Sequence, residues 1–228
     1  MDKEYPLKAP VLLNEFHAVN SFDCADEALN TYLKKFAYLN NQNASARTYV
    51  SVRKDRVVGY YTITPGSVTK KEAPQRVGKG LANHPIPVII LARLAVHKPE
   101  QSSGIGKGLL RDALLRIVTA ADIIGGRAVL VHAKDNKAKS FYHIGISKAK
   151  FRFPAVFLRK QSAGDKIGTN SDVTPVLALR SKATGPEGKI VHERSECLSC
   201  EHFGFEPSPI DPFHLYLLLK DIKKTLEI

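Results

Sequence analysis

The stretch LARLAVHKPEQSSGIGKGLL, from Leu91 to Leu110, decides the fold. An almost unbroken apolar run, Val88 to Val96, leads into it and reads as a strand covered on both faces. A turn follows, carrying Gln101, Gly104 and Gly106. Helical spacing begins at once with Leu109, Leu110, Ala113, Leu114 and Ile117, which predicts a helix from about Ile105 to Ala121. Gly104 and Gly106 let backbone N–H groups surround an anion with no Cβ in the way. The helix start adds unpaired N–H donors and the positive end of its dipole. A tight turn that uses glycine for geometry alone is the competing reading. The whole pattern Gln-x-x-Gly-x-Gly, set between an apolar strand and a helix, favours a pyrophosphate site. A third glycine and an early acidic partner are missing, so this is not the dinucleotide fingerprint. Lys107 lacks the glycine spacing and the following Ser or Thr of a P-loop.

Upstream, Asp23 to Asn40 has the apolar spacing of one helical face: Ala25, Ala28, Leu29, Tyr32, Leu33, Phe36 and Ala37. Asp23 is the expected cap. Arg47–Val52 and Arg56–Thr64 are rich in Val, Tyr and Thr and read as a hairpin about Lys54-Asp55, with Pro65-Gly66 ending its second strand. Ser67 to Pro87 reads as an irregular connection. Downstream, Gly125-Gly126 stop the central helix and Ala128–Ala133 form another buried strand. Asp135 or Asn136 opens a short helix with Ala138, Phe141 and Tyr142. Phe213–Leu219 is a further strand.

The 228 residues suffice for one or two domains, and the composition is that of a globular protein. No apolar run approaches the ~20 residues that span a bilayer. The start, MDKEYPLKAPVLLNEF, makes a poor signal peptide, so the expected location is cytoplasmic, without membrane attachment. Three cysteines form no disulfide framework, in keeping with a reducing compartment. A net charge of +12 favours polyanionic company, either nucleic acid or a phosphate-rich cofactor.

Gln101-Ser-Ser-Gly104-Ile-Gly106 resembles the acetyl-CoA signature of the GNAT N-acetyltransferases. FDCADEALNTYL, ARTYVSV, VVGYYTITPGSV, LARLAV, VHAKD, SFY and HFGFEPSPIDPFHLYLLLKDI occur in the order found in one subgroup. These are the GNAT toxins of type II toxin–antitoxin pairs, which acetylate the amino group of aminoacyl-tRNA and so block translation. The resemblance covers about residues 10–142 and 201–224. It implies an α/β (α+β) chain with the GNAT acyl-CoA N-acyltransferase fold, a mixed central sheet flanked by helices. It also implies acetyl-CoA as co-substrate, a ribbon-helix-helix antitoxin as partner, and a homodimer.

The same resemblance assigns residues. Leu94, Ala95 and Val96 would pair their backbone with the pantetheine arm, and the amide after a strand bulge, at Val96, would support the oxyanion. Gln101, Ser102, Ser103, Gly104, Ile105, Gly106 and Lys107, with Asn136, are the other cofactor candidates. Tyr142 would protonate the leaving thiolate, a task that suits a phenol of ordinary pKa near 10. Lys34, Lys35, Arg47 and Arg93 are candidates for tRNA contacts, weighed against a solvated-surface reading. Arg93 lies in an apolar strand, so it calls for a partner, either substrate or an internal acid.

A single GNAT domain over 1–142 and 201–228 is therefore expected, interrupted by an insertion over 143–200 that is partly irregular or disordered. FRFPAVFL and VLAL within it are candidate short strands. No metal is assigned: His192, Cys197, Cys200 and His202 cluster, but their outer spacings fit no standard zinc finger. Two other functions compete, an acetyltransferase of a small or protein amine, and an inactive GNAT-like module that only binds its antitoxin.

Overall fold

A computed structural model of the chain describes residues 5–145 and 204–226, all within one compact unit. Among them are seven strands: β1 (Val11–Leu12), β2 (Arg47–Arg53), β3 (Arg56–Val68), β4 (Ile86–Val96), β5 (Ala128–His132), β6 (Glu206–Pro207) and β7 (His214–Leu218). They form one sheet in the order β1-β2-β3-β4-β5-β7-β6. Neighbours are antiparallel except β4 and β5, which run parallel. The expected mixed sheet is thus present.

Helix α1 (Glu27–Thr31) passes through a π-helical turn (Tyr32–Phe36) into α2 (Ala37–Gln42). The cap differs from expectation. Asp26 accepts the N–H groups of Ala28 and Leu29, whereas Asp23 accepts from Ala25 and from the Asn30 side chain. Ala25 at φ 65° turns the chain between the two acids. Strand β3 also runs through Pro65-Gly66 to Val68, because β4 offers partners as far as Ile86 and extends the hairpin past the turn signal. The connection read as irregular holds α3 (Gln75–Gly78).

The helix after the glycine turn, α4 (Ile105–Ile124), runs one turn longer than its apolar spacing predicts, up to Gly125 at φ 83°. Helix α5 (Asn136–Gly145) begins where Asp135 accepts the Ala138 N–H, and α6 (Leu219–Leu226) follows β7 directly.

Strand side chains alternate between two faces. On one face Val58, Tyr61, Ile89, Leu91, Val129, Val131, Leu215 and Leu217 bury against Leu109, Leu110, Ala113, Leu114 and Ile117 of α4. The other face carries two separate clusters. The α1–α2 helix packs Tyr32, Leu33 and Ala37 on Val50, Tyr60 and Ala95. Helix α3 packs Val77 on Ile86, Val88, Leu130 and Tyr216. Between these clusters the alternation places Thr62, Arg93, His132 and His214, a polar strip across the middle of the sheet.

Candidate active site

β4 and β5 pair only from Val88↔Ala128 to Leu91↔Val131. β4 then continues to Val96 beside β3 alone, so its other edge opens. The His97 N–H donates to the Val58 carbonyl at 2.8 Å. That bond fixes which β4 groups face β3, since hydrogen-bonded pairs alternate along an antiparallel ladder. The backbone groups of Arg93 and Ala95 face β3; those of Leu94 and Val96 point to the open edge. Leu94 and Val96, two of the three strand residues expected to meet a pantetheine arm, thus turn their backbone polar groups to the open edge, where the Val96 carbonyl accepts from Gln101, and Ala95 between them does not. The bulge falls at Ala92, between the pairs Thr62↔Arg93 and Ile63↔Leu91. It lies four residues upstream of Val96.

The open edge runs straight into the glycine turn. Gly104 caps α4 with φ 89°, a left-handed conformation that only glycine adopts without strain, and no side chain caps the helix. The first α-helical bond is Gly108 N–H to Gly104 C=O, so the N–H groups of Ile105, Gly106 and Lys107 have no intrahelical acceptor. Lys107 stands in a first turn that holds no acid. A cation at the positive end of a helix is unfavourable by itself, and an anion bound there would offset it.

The turn is braced from below. Glu100, buried, pairs with Arg53 Nε at 2.8 Å, and Ser103 Oγ donates to the Glu100 carbonyl. Gln101 donates to the carbonyls of Val96 (3.0 Å) and Cys24 (3.2 Å). Its amide therefore ties the loop to β4 and to the segment before α1. Lys98 N–H reaches the Asp23 carbonyl at 2.7 Å and completes that clamp. Ser102, at φ 62°, and Ser103 are exposed at the top of the turn.

Helix α5 lies against the same site. A Cβ on Gly106 would meet the Phe141 ring at 3.4 Å and Val96 Cγ2 at 3.6 Å, so α4, β4 and α5 converge there. Tyr142 is 7% exposed, edge-on to Phe141 (5.3 Å) and to Phe205 (5.7 Å). Burial raises its pKa above the ordinary phenol value. No described residue hydrogen-bonds its hydroxyl, and no buried polar side-chain atom among the described residues lacks a partner. Asn136 is exposed at the start of α5.

Of the four basic candidates, Arg93 alone reaches the strip beside the open edge. Within the chain its partner is an aromatic ring rather than an acid: the guanidinium lies 3.7 Å from the centre of the Tyr32 ring, a cation–π contact. Lys34 and Lys35 are exposed on the π-helical turn, and Arg47 donates to the Asn41 carbonyl at 3.0 Å.

Several site residues escaped the sequence reading. Lys134 pairs with Asp26, joining the end of β5 to the cap of α1. His132 and His214 stack with ring centres 4.1 Å apart, and His214 Nε2 lies 3.3 Å from Asp211. Only the β5/β7 register brings the two histidines together, so no local signal marks them. His192, Cys197, Cys200 and His202, together with FRFPAVFL and VLAL, lie outside the described residues.

An open edge on the strand of a parallel pair and a glycine-led helix start beneath it are arranged as in the GNAT fold. No family model matches the chain. It is 34% identical over 218 residues to the tRNA-acetylating toxin of Mycobacterium tuberculosis, across 96% of each chain. AtaT complexed with acetyl-methionyl-tRNAfMet superimposes with a TM-score of 0.66 at 20% identity, over 97% of this chain and 99% of that one. A mutant AtaT toxin bound to acetyl-CoA and the C-terminus of the antitoxin AtaR gives 0.61 at 19% identity, over 98% and 99%. At those identities the two structures speak for the fold. With the first relative's full-length match, the chain belongs to the family of tRNA-acetylating GNAT toxins of toxin–antitoxin systems.

Proposed function

We propose that this chain transfers the acetyl group of acetyl-CoA to the α-amino group of an aminoacyl-tRNA, which removes the charged tRNA from translation. The observation that carries the chemistry is the open β4 edge at Leu94 and Val96, continuous with the free amides of Ile105, Gly106 and Lys107. An extended amide-bearing arm fits the first and a pyrophosphate fits the second. The thioester then lies in the split between β4 and β5. Val96 N–H, or that of Leu94, supports the developing oxyanion, and Tyr142 donates its proton to the departing sulfur. Gln101 acts by holding the loop, Ser102, Ser103 and Gly104 shape it, and Asn136 borders it. The relative's named activity and the charge of +12 support a charged tRNA as acceptor, with Arg93 as the basic group beside the split and Lys34, Lys35 and Arg47 further out.

Residues 1–142 and 201–228 are read as one domain with an insertion over 143–200. The Tyr142–Phe205 ring contact and the β5/β7 pairing support this, because they bring the two flanks side by side. The solved complex of AtaT with AtaR supports an antitoxin partner. A ribbon-helix-helix antitoxin and a homodimer complete the proposal.

The test is transfer of labelled acetyl groups to a mixed pool of charged tRNAs, set beside uncharged tRNA, polyamines and peptides. Label is expected on the aminoacyl nitrogen alone. Label confined to a polyamine or peptide would assign a different acceptor.

A further inference from the structure

His132 is the first residue of β5 beyond the last pair it shares with β4, Leu91↔Val131. Carrying that register one step further sets it beside Ala92, the bulged residue, at the apex of the split. By alternation with Ala128 and Leu130 its side chain stands on the face away from α4. The acceptor must enter from that face. Tyr142 and the departing sulfur lie toward α4 and α5, where Leu109, Ile105 and Phe205 close the sheet.

The ring is solvent-accessible along one side and stacked on His214 along the other. Partial burial, and then the neighbouring His214, hold its pKa below the ordinary imidazole value, with Asp211 opposing. The charged groups around it have other engagements. Asp211 stands on His214 and also accepts the Phe213 N–H. From β4, Arg93 is turned onto Tyr32, and Lys134 at the end of β5 is paired with Asp26. Glu72 lies within electrostatic reach of His214. An exposed, neutral imidazole therefore borders the place where the amine must arrive.

We infer that His132 accepts the proton that the acceptor ammonium must lose before it attacks the thioester, with the carboxylate of Asp211, behind the stacked His214 ring, to offset the charge. This role rests on the acetyl transfer proposed above. The acceptor enters as R–NH3+. One proton passes to His132, the freed lone pair forms the N–C bond, and the C–S bond breaks. Tyr142 gives its proton to the thiolate and regains one from the nitrogen. The third hydrogen stays on the amide, and His132 releases its proton to water.

The experiment follows kcat/KM against pH for the full chain and for His132→Ala and His132→Gln, with acetyl-CoA and charged tRNA. At pH 6.5 both variants are expected to lose about a hundredfold. The deficit closes as pH rises past ~8, where an α-amino group deprotonates unaided. Added imidazole restores His132→Ala and leaves His132→Gln unchanged, while acetyl-CoA affinity stays at the wild-type value in both. A loss that is equal at every pH and insensitive to imidazole would show a structural role and overturn the inference, as would unchanged profiles. Wild-type protein that binds acetyl-CoA yet labels no charged tRNA is a distinct result: it removes the acceptor itself, and the role of His132 with it.

Discussion

A methyl group on Gly106 would come to 3.4 Å from Phe141 and 3.6 Å from Val96, ordinary contact distances, so the chain's own packing admits alanine there. Gly104 differs, because its φ of 89° demands glycine whatever binds nearby. The glycine at 106 is therefore explained by a ligand's approach and that at 104 by backbone geometry. Gly106→Ala is expected to weaken acetyl-CoA binding on the order of tenfold, the equivalent of about one lost charge-assisted hydrogen bond. Thermal stability should hold or rise slightly, since glycine inside a helix costs about 0.5–1 kcal/mol relative to alanine. Calorimetric titration and a melting curve check both. Tyr142→Phe keeps the ring contacts to Phe141 and Phe205 but removes the proton donor. Transfer should fall about a hundredfold or more with acetyl-CoA affinity intact. Burial raises the Tyr142 pKa, so its protonated form persists above the ordinary range. The wild-type rate profile should then show no alkaline loss from this group below about pH 10.

Elements hold these groups in place, and the brace under the glycine turn is the clearest case. Glu100 is 6% exposed and takes two bonds from Arg53, which also donates to the Tyr5 carbonyl. Glu100→Ala leaves that guanidinium without its anion and frees the turn. A loss of about 1–3 kcal/mol in denaturant unfolding is expected, together with weaker acetyl-CoA binding. Unchanged affinity would mean the loop holds its shape without the brace. The sequence was most readable where one period dominates, as in the apolar run of β4 and the spacing of α4. Both survive with small changes at their ends. Readability failed where a distant partner decides. β3 continues past Pro65-Gly66 because β4 pairs with it as far as Ile86. The π-helical turn at Tyr32–Phe36, which brings Tyr32 under Arg93, leaves the apolar spacing almost unchanged. Asp23 and Asp26 are both suitable caps, and only the turn at Ala25 selects the second. In the site, the Gln-Gly-Gly loop was legible because its chemistry is local. The His132–His214 stack was not, because it depends on strand pairing across residues far apart in the chain.

For the whole molecule, a charge of +12 and a polyanionic acceptor predict strong dependence on salt. KM for charged tRNA should rise at least about tenfold between 50 and 200 mM salt, since each phosphate contact adds close to one unit to the log–log slope. The KM for acetyl-CoA, held mainly by backbone amides, should change far less. Equal sensitivity of the two would contradict a charge-steered tRNA interface. The domain reading makes a second demand at this scale. Because Tyr142 meets Phe205 directly, replacing residues 146–200 by a short flexible linker should leave acetyl-CoA binding in place, as loop closure depends only weakly on length. The central claim, that the free edge of β4 and the start of α4 hold acetyl-CoA, is most directly tested by amide hydrogen exchange resolved at single residues. Adding acetyl-CoA should slow exchange at Leu94, Val96, Ile105, Gly106 and Lys107, and leave Ala95, already bonded to β3, unchanged. Exchange at Leu94 and Val96 that stays as fast with saturating acetyl-CoA as without it would contradict that claim.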